Sequence, residues 1–218
     1  MAPKSHRDLI RGDAGNIEVA SAIPTSAQAI AVIAHPHPLF GGTMDNKVVT
    51  TVARAFTEAG AATFRFNFRG VGATEGPHDE GRGETDDMIK VIEHARGAVG
   101  PVPLFLAGFS FGGAVATRAS GRVEFKRLVL VAPGFRRLTP GGLGEAPDAK
   151  DPALGAPGRH SYANTVVIHG DLDETVPLSD SIAWGTVREV PVVVVPGGEH
   201  FFHRKLHVLR EIVSHWAR

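Results

Sequence analysis

No cysteine occurs among the 218 residues. That excludes a disulfide framework, a thiolate metal site and a cysteine nucleophile. There is no excess of charge of either sign: 23 basic side chains stand against 23 acidic ones, where a nucleic-acid binder would carry a basic face. Long apolar runs are missing too. Stretches such as Leu128–Ala132 and Val192–Val195 fall far short of a membrane span. The opening stretch MAPKSHRDLIRGDAGN is charged throughout and has no apolar segment of signal-peptide length. A cytoplasmic protein with no nucleic-acid or membrane partner is therefore expected. At roughly 150 residues per domain, the length predicts one domain over residues 1–218, large enough to bury an ordinary hydrophobic core.

What the chain does have is 26 Gly, 15 Pro and 11 His. The Gly and Pro content predicts many tight turns. One local bias hides in the balanced charge: between Glu75 and Glu93 the acidic residues far outnumber Arg82 and Lys90. Short β-rich runs alternate with helical periodicity. Ile17–Ile23 reads as a strand of an N-terminal hairpin, and the continuously apolar Ala29–Ala34 as a strand buried on both faces. Val48, Val52, Ala55, Phe56 and Ala59 recur at helical spacing, with Asp45 or Asn46 to cap that helix and Gly60 to end it. Thr63–Phe68 is the next strand. Met88, Val91, Ile92, Ala95 and Val99 mark a second helix, with Asp86 and Asp87 at its positive end. Strands are then expected at Val102–Ala107, Leu128–Ala132, Thr165–Ile168 and Pro191–Val195. Helices are expected at Gly112–Ser120, weakly at Ser179–Val187, and at Lys205–Trp216. This alternation predicts a parallel sheet with helices on both faces. Residues 133–162 break it, being rich in Gly and Pro without periodicity, and a loop of that length is usually functional or mobile.

The strand VPLFLA runs into GFSFGG, so G-x-S-x-G stands between a buried strand and a helix of small residues, the context that motif requires. A serine on such a turn is pushed into the open, and Gly108 and Gly112 supply the lack of bulk where segments pass closely. The helix N-terminus points N–H groups and a positive dipole at Ser110. A neutral serine is a weak nucleophile and needs a base that a third group orients. His200 follows the last strand, on the edge where open α/β sheets bind ligands, with His203 as the rival on the same loop. Asp173 is preferred to Asp171 as the acid. It lies farther from the strand end, where Glu174–Pro177 folds back, while Asp171 suits a turn.

These residues in this order resemble the α/β-hydrolase superfamily. The segments HPHPLFGGTMDNKVV, FRFNFRGVGATEG, AGFSFGG, VVIHGDLDETVP and PGGEHFFHRKL look like those of a small bacterial group of serine hydrolases without a cap domain. The resemblance covers nearly the whole chain. It implies a mostly parallel eight-stranded sheet and a Ser110–Asp173–His200 triad. It also makes 133–162 a short excursion where a cap would be inserted. An oxyanion hole needs two backbone N–H groups. Phe111, the residue after the nucleophile, should give the first. The second should come from the loop after Ala29–Ala34, where Pro36 and Pro38 have no N–H and His37, Leu39 or Phe40 must supply it; by analogy with the superfamily His37 fits best, with Leu39 as its rival. The implied activity is hydrolysis of small-molecule carboxylic esters, with thioesters as a second class, through an acyl-enzyme and without metal or cofactor. Peptidase and lactonase chemistry on the same triad, and a scaffold that binds without turnover, are the alternatives. A metal site from His35, His37 and the acidic run is disfavoured, as is a dinucleotide loop at Gly70, Gly72 and Gly76, whose spacing is not G-x-G-x-x-G. Phe201, Phe202, Leu39 and Phe40 should divide between core and pocket wall.

Overall fold

The computed structural model describes residues 3–135 and 163–218; the 133–162 excursion therefore lies, from residue 136 on, outside the described residues. The element order is β1 (His6–Arg11), β2 (Asn16–Ala22), β3 (Ala29–Ala34), a 3₁₀ turn at Pro38–Phe40, α1 (Lys47–Glu58), β4 (Ala61–Phe66), α2 (Arg82–Val99), β5 (Leu104–Phe109), α3 (Phe111–Ser120), β6 (Arg127–Val131), β7 (Thr165–Gly170), α4 (Leu178–Arg188), β8 (Val192–Val195) and α5 (Leu206–Trp216). The eight strands form one sheet in the order β1-β2-β4-β3-β5-β6-β7-β8. β2 pairs antiparallel with β1 and with β4, and every other pairing is parallel.

The alternation of side chains along β3 explains the two cores. Ile30, Val32 and Ala34 point into one, with Met88, Val91 and Ile92 of α2, Ala114 and Val115 of α3, and Trp184 of α4. Ala29, Ala31 and Ile33 point into the other, with Val48, Val52 and Phe56 of α1 and Leu209 and Val213 of α5. A strand covered on both faces must be apolar throughout, and β3 and β5 are buried along their whole length.

Several boundaries differ from the sequence reading, each for a local reason. β5 continues to Phe109 because Gly108 and Phe109 stay in register with Leu130 and Val131. β4 ends at Phe66 because the Phe68 N–H donates to His35 Nε2 (2.9 Å) instead of a ladder carbonyl. Asn46, not Asp45, caps α1, accepting from the Val48 N–H (2.8 Å). Asp45 is engaged with Arg7 and Arg65 instead. α2 begins at Arg82, a full turn before Asp86 and Asp87, so these do not occupy its positive end. Glu84 does, its carboxylate accepting from the N–H groups of Asp79 (2.9 Å) and Gly81 (2.8 Å).

Asp87 has a different task. Arg69 holds it through Nε (2.7 Å) and a terminal nitrogen (3.0 Å), and its side chain is 2% exposed. Burial pushes the Asp87 carboxyl up, against the pull of Arg69. The pair ties the loop after β4 to α2. Removing one partner of a buried ion pair typically costs about 3–5 kcal/mol, whereas replacing both by apolar groups is near neutral. Arg69→Ala should therefore lower the urea unfolding free energy by about that amount, and the double change Arg69→Met with Asp87→Leu should recover most of it.

Candidate active site

Ser110 sits between β5 and α3 with φ 56° and ψ −122°, a conformation that costs a residue with a Cβ about 1–3 kcal/mol and persists only where its surroundings impose it. Here they do. The Ser110 N–H donates to the Val131 carbonyl (2.9 Å), and the Ser110 carbonyl accepts from the N–H groups of Gly113 (2.9 Å) and Gly134 (2.8 Å). The flanking glycines are required by contact: a Cβ on Gly108 would stand 2.0 Å from the Gly112 carbonyl oxygen, and one on Gly112 would stand 2.4 Å from that of His35.

Ser110 Oγ lies 3.1 Å from His200 Nε2. His200 Nδ1 lies 2.7 Å from Asp173 Oδ2, and Asp173 Oδ1 accepts from the N–H groups of Thr175 and Val176 (both 2.9 Å). The two loops after β7 and β8 thus bring Asp173 and His200 to the turn after β5, at the carboxyl edge of the sheet. Burial would raise the Asp173 carboxyl, but His169, His200 and the Val176 N–H outweigh it and hold the group well below the usual carboxylate range. The carboxylate therefore stays charged and fixes the proton of His200 on Nδ1, leaving Nε2 free to accept from the serine.

The rivals lie elsewhere. Asp171 is exposed and accepts from the Gly197 N–H (2.7 Å), joining the loops after β7 and β8. The His203 side chain is 61% exposed and pairs with Glu199. In the loop after β3, the Leu39 N–H is directed at His37 Nδ1 (3.3 Å), and the N–H groups of Phe40 and Gly42 go to the His37 carbonyl (3.2 and 3.1 Å). Phe111 opens α3, where an N–H has no carbonyl of its own helix to meet. Its ring lies 4.7 Å from that of His37.

A cavity of about 230 Å³ opens over Ser110, walled by His37, Phe40, Thr175, His200 and Phe201 among others. None of its described lining residues is Lys, Arg, Asp or Glu. A roomier hollow of about 310 Å³ between β2 and α1 contains none of Ser110, Asp173 and His200. The four apolar residues do divide: Phe202 is fully buried, Phe40 (75% exposed) and Phe201 (42%) reach the wall, and Leu39 is exposed outside it.

His35 has a structural task. Its Nδ1–H donates to the Pro36 carbonyl (2.6 Å) and its Nε2 accepts from Phe68, which defines the neutral ring. Burial pushes its pKa down to about 3. Because the folded value is depressed, its stabilisation is complete above the unfolded pKa of about 6.5 and is lost as pH falls toward 3. Between pH 7.5 and 5 the loss should be about 2 kcal/mol. In His35→Gln, which keeps one donor and one acceptor, urea unfolding should lose about that much less stability over the same interval. Among the described residues, no three His, Asp or Glu side chains gather as metal ligands would, and no helix is long and apolar enough to cross a membrane.

One contact goes unannounced in the sequence reading: His169, fully buried in β7, lies 3.3 Å from Asp173 Oδ2. A lone polar ring in the apolar run Thr165–Gly170 is the signal that marks it.

Residues 39–154 match the model of a family described as the α/β-hydrolase fold. The chain is similar to an α/β serine hydrolase without a lid from Xanthomonas campestris, at 36% identity and a TM-score of 0.84, covering 99% of this chain and 94% of that one. It is also similar to an α/β serine hydrolase homologue from Coxiella burnetii, at 36% identity and a TM-score of 0.79, covering 96% of each. A curated relative, an uncharacterized protein of Rickettsia prowazekii, is 35% identical over 125 residues, and the match spans 52% of its length, so this chain covers about half of it.

Proposed function

The chain belongs to the α/β-hydrolase family, and on that premise we propose that it cleaves carboxylic esters, with thioesters as a second class, through an acyl-enzyme. The observation that carries this reading is the 3.1 Å and 2.7 Å relay from Ser110 through His200 to Asp173. Ser110 Oγ attacks the carbonyl carbon while His200 Nε2 takes its proton. His200 then passes that proton to the leaving alcohol. Water, deprotonated by His200, releases the acid and regenerates the serine. Asp173 orients the imidazole and stabilises its charged form.

The Phe111 N–H and the His37 N–H complete the proposed oxyanion hole. His37 lines the cavity, whereas the Leu39 N–H is turned into its own loop, which favours His37 over Leu39. Phe40 and Phe201 give the acyl or aryl group an apolar wall, and the uncharged lining favours neutral substrates. A panel of aryl esters, thioesters and amides of graded acyl length tests this. Esters with short to medium neutral acyl groups should turn over fastest, and anionic acyl groups poorly. Turnover of peptide amides with no turnover of esters would replace the esterase reading by a peptidase.

A further inference from the structure

His169 lies near the end of β7, in register with Val194 of β8, with no exposed side-chain surface. Its Nε2 is 3.0 Å from the Val176 carbonyl oxygen. A carbonyl only accepts, so Nε2 carries a proton, while Ser181 Oγ lies 2.7 Å from Nδ1 on the other side of the ring. The same Nε2 stands 3.3 Å from Asp173 Oδ2, the oxygen that faces His200 Nδ1 at 2.7 Å. The hydrogen bond goes to Val176, and the carboxylate receives the N–H dipole beside it. Val176 in turn donates its N–H to Asp173 Oδ1. His169, the turn from Asp173 to Val176 and the carboxylate therefore close a ring of contacts.

We propose that His169 is a positioning residue for the hydrolysis. It anchors the turn that clasps Asp173, and it offsets part of the negative charge on the oxygen that grips the catalytic imidazole. The proposal rests on the Ser110–His200–Asp173 reading above. Other titratable groups nearby are Asp180 on α4, next to Ser181, and Asp171 and Glu174 on the loop of Asp173. His169 and His200 are the ones that contact the carboxylate.

The sign of the effect follows. Without the His169 dipole, Asp173 carries more uncompensated charge toward His200, which becomes more basic. The acid limb of kcat/KM, which reports the free base, should move to higher pH by about half a unit. In His169→Phe, kcat per titrated active site should fall about 10- to 100-fold, the scale of a slightly misplaced catalytic group, with KM changed little. His169→Gln places an N–H at similar reach and should restore most of both. A purely structural role predicts a smaller active fraction with an unmoved acid limb, and that result overturns the proposal. The wild-type protein offers a test that survives misfolding of the variants. Its ¹⁵N-histidine spectrum should show His169 protonated on Nε2, and a proton on Nδ1 alone would also overturn the proposal. Undiminished ester hydrolysis by Ser110→Ala or His200→Ala would instead sink the triad reading underneath it.

Discussion

Ser110→Ala should lose ester hydrolysis by about 10⁴- to 10⁶-fold, the range seen when a serine nucleophile is removed while binding and oxyanion donors remain. It should also resist labelling by a fluorophosphonate that marks the wild-type protein. The fold should not change. Alanine keeps the Cβ that the strained turn already accommodates, and the clamps on this turn are backbone bonds to Val131, Gly113 and Gly134, which the substitution leaves in place. Thermal unfolding should therefore shift little, separating lost chemistry from lost structure. Equal labelling of the variant and the wild type would refute Ser110 as the nucleophile.

Asp173→Asn should cost about 10⁴-fold in kcat, the scale for a triad aspartate that can no longer hold its histidine's tautomer. The argument here is geometric. The asparagine oxygen will settle where Oδ1 accepts from Thr175 and Val176. Its amide NH₂ then faces His200 Nδ1, so two donors meet where a donor and an acceptor stood. The imidazole relieves this by moving its proton to Nε2, which can no longer accept from Ser110. Asp171→Asn is the control. Its carboxylate accepts from the Gly197 N–H, and an amide oxygen serves equally, so activity should stay within a few-fold of wild type. Steady-state kinetics on one activated ester compares the two, and the reverse ranking would make Asp171 the acid.

Much of this site could be read from residue types and spacing. GFSFGG is a motif whose glycines answer to steric contact, and the order Ser, Asp, His along the chain was enough to choose among several candidates. Asp173 was separable from Asp171 because the turn Glu174–Pro177 has somewhere to bring it. What could not be read was set by individual contacts, near or far in sequence, that residue type and spacing do not encode. The early start of α2 depends on Glu84 reaching back to Asp79 and Gly81, with no Ser, Thr, Asp or Asn at the capping position itself. The end of β4 depends on His35, 33 residues away, taking the Phe68 N–H. The part played by Leu39 turns on where a single N–H points, which no side-chain pattern encodes. His169 stands within VVIHGDLDETVP, but nothing in that segment specifies its approach to Asp173, which is made across a turn.

The close approach of Gly112 to the carbonyls of Ala34 and His35 has a consequence for how this enzyme can diverge. The loop bearing His37 and the turn bearing Ser110 meet main chain against main chain, with no side chain between them. On the proposed reading, the spacing of Ser110 from the His37 loop is gauged by peptide geometry, while the replaceable rings of Phe40 and Phe201 form the cavity wall that would select the substrate. Substrate preference can drift through those rings, by selection or in a library, without retuning the catalyst beneath them.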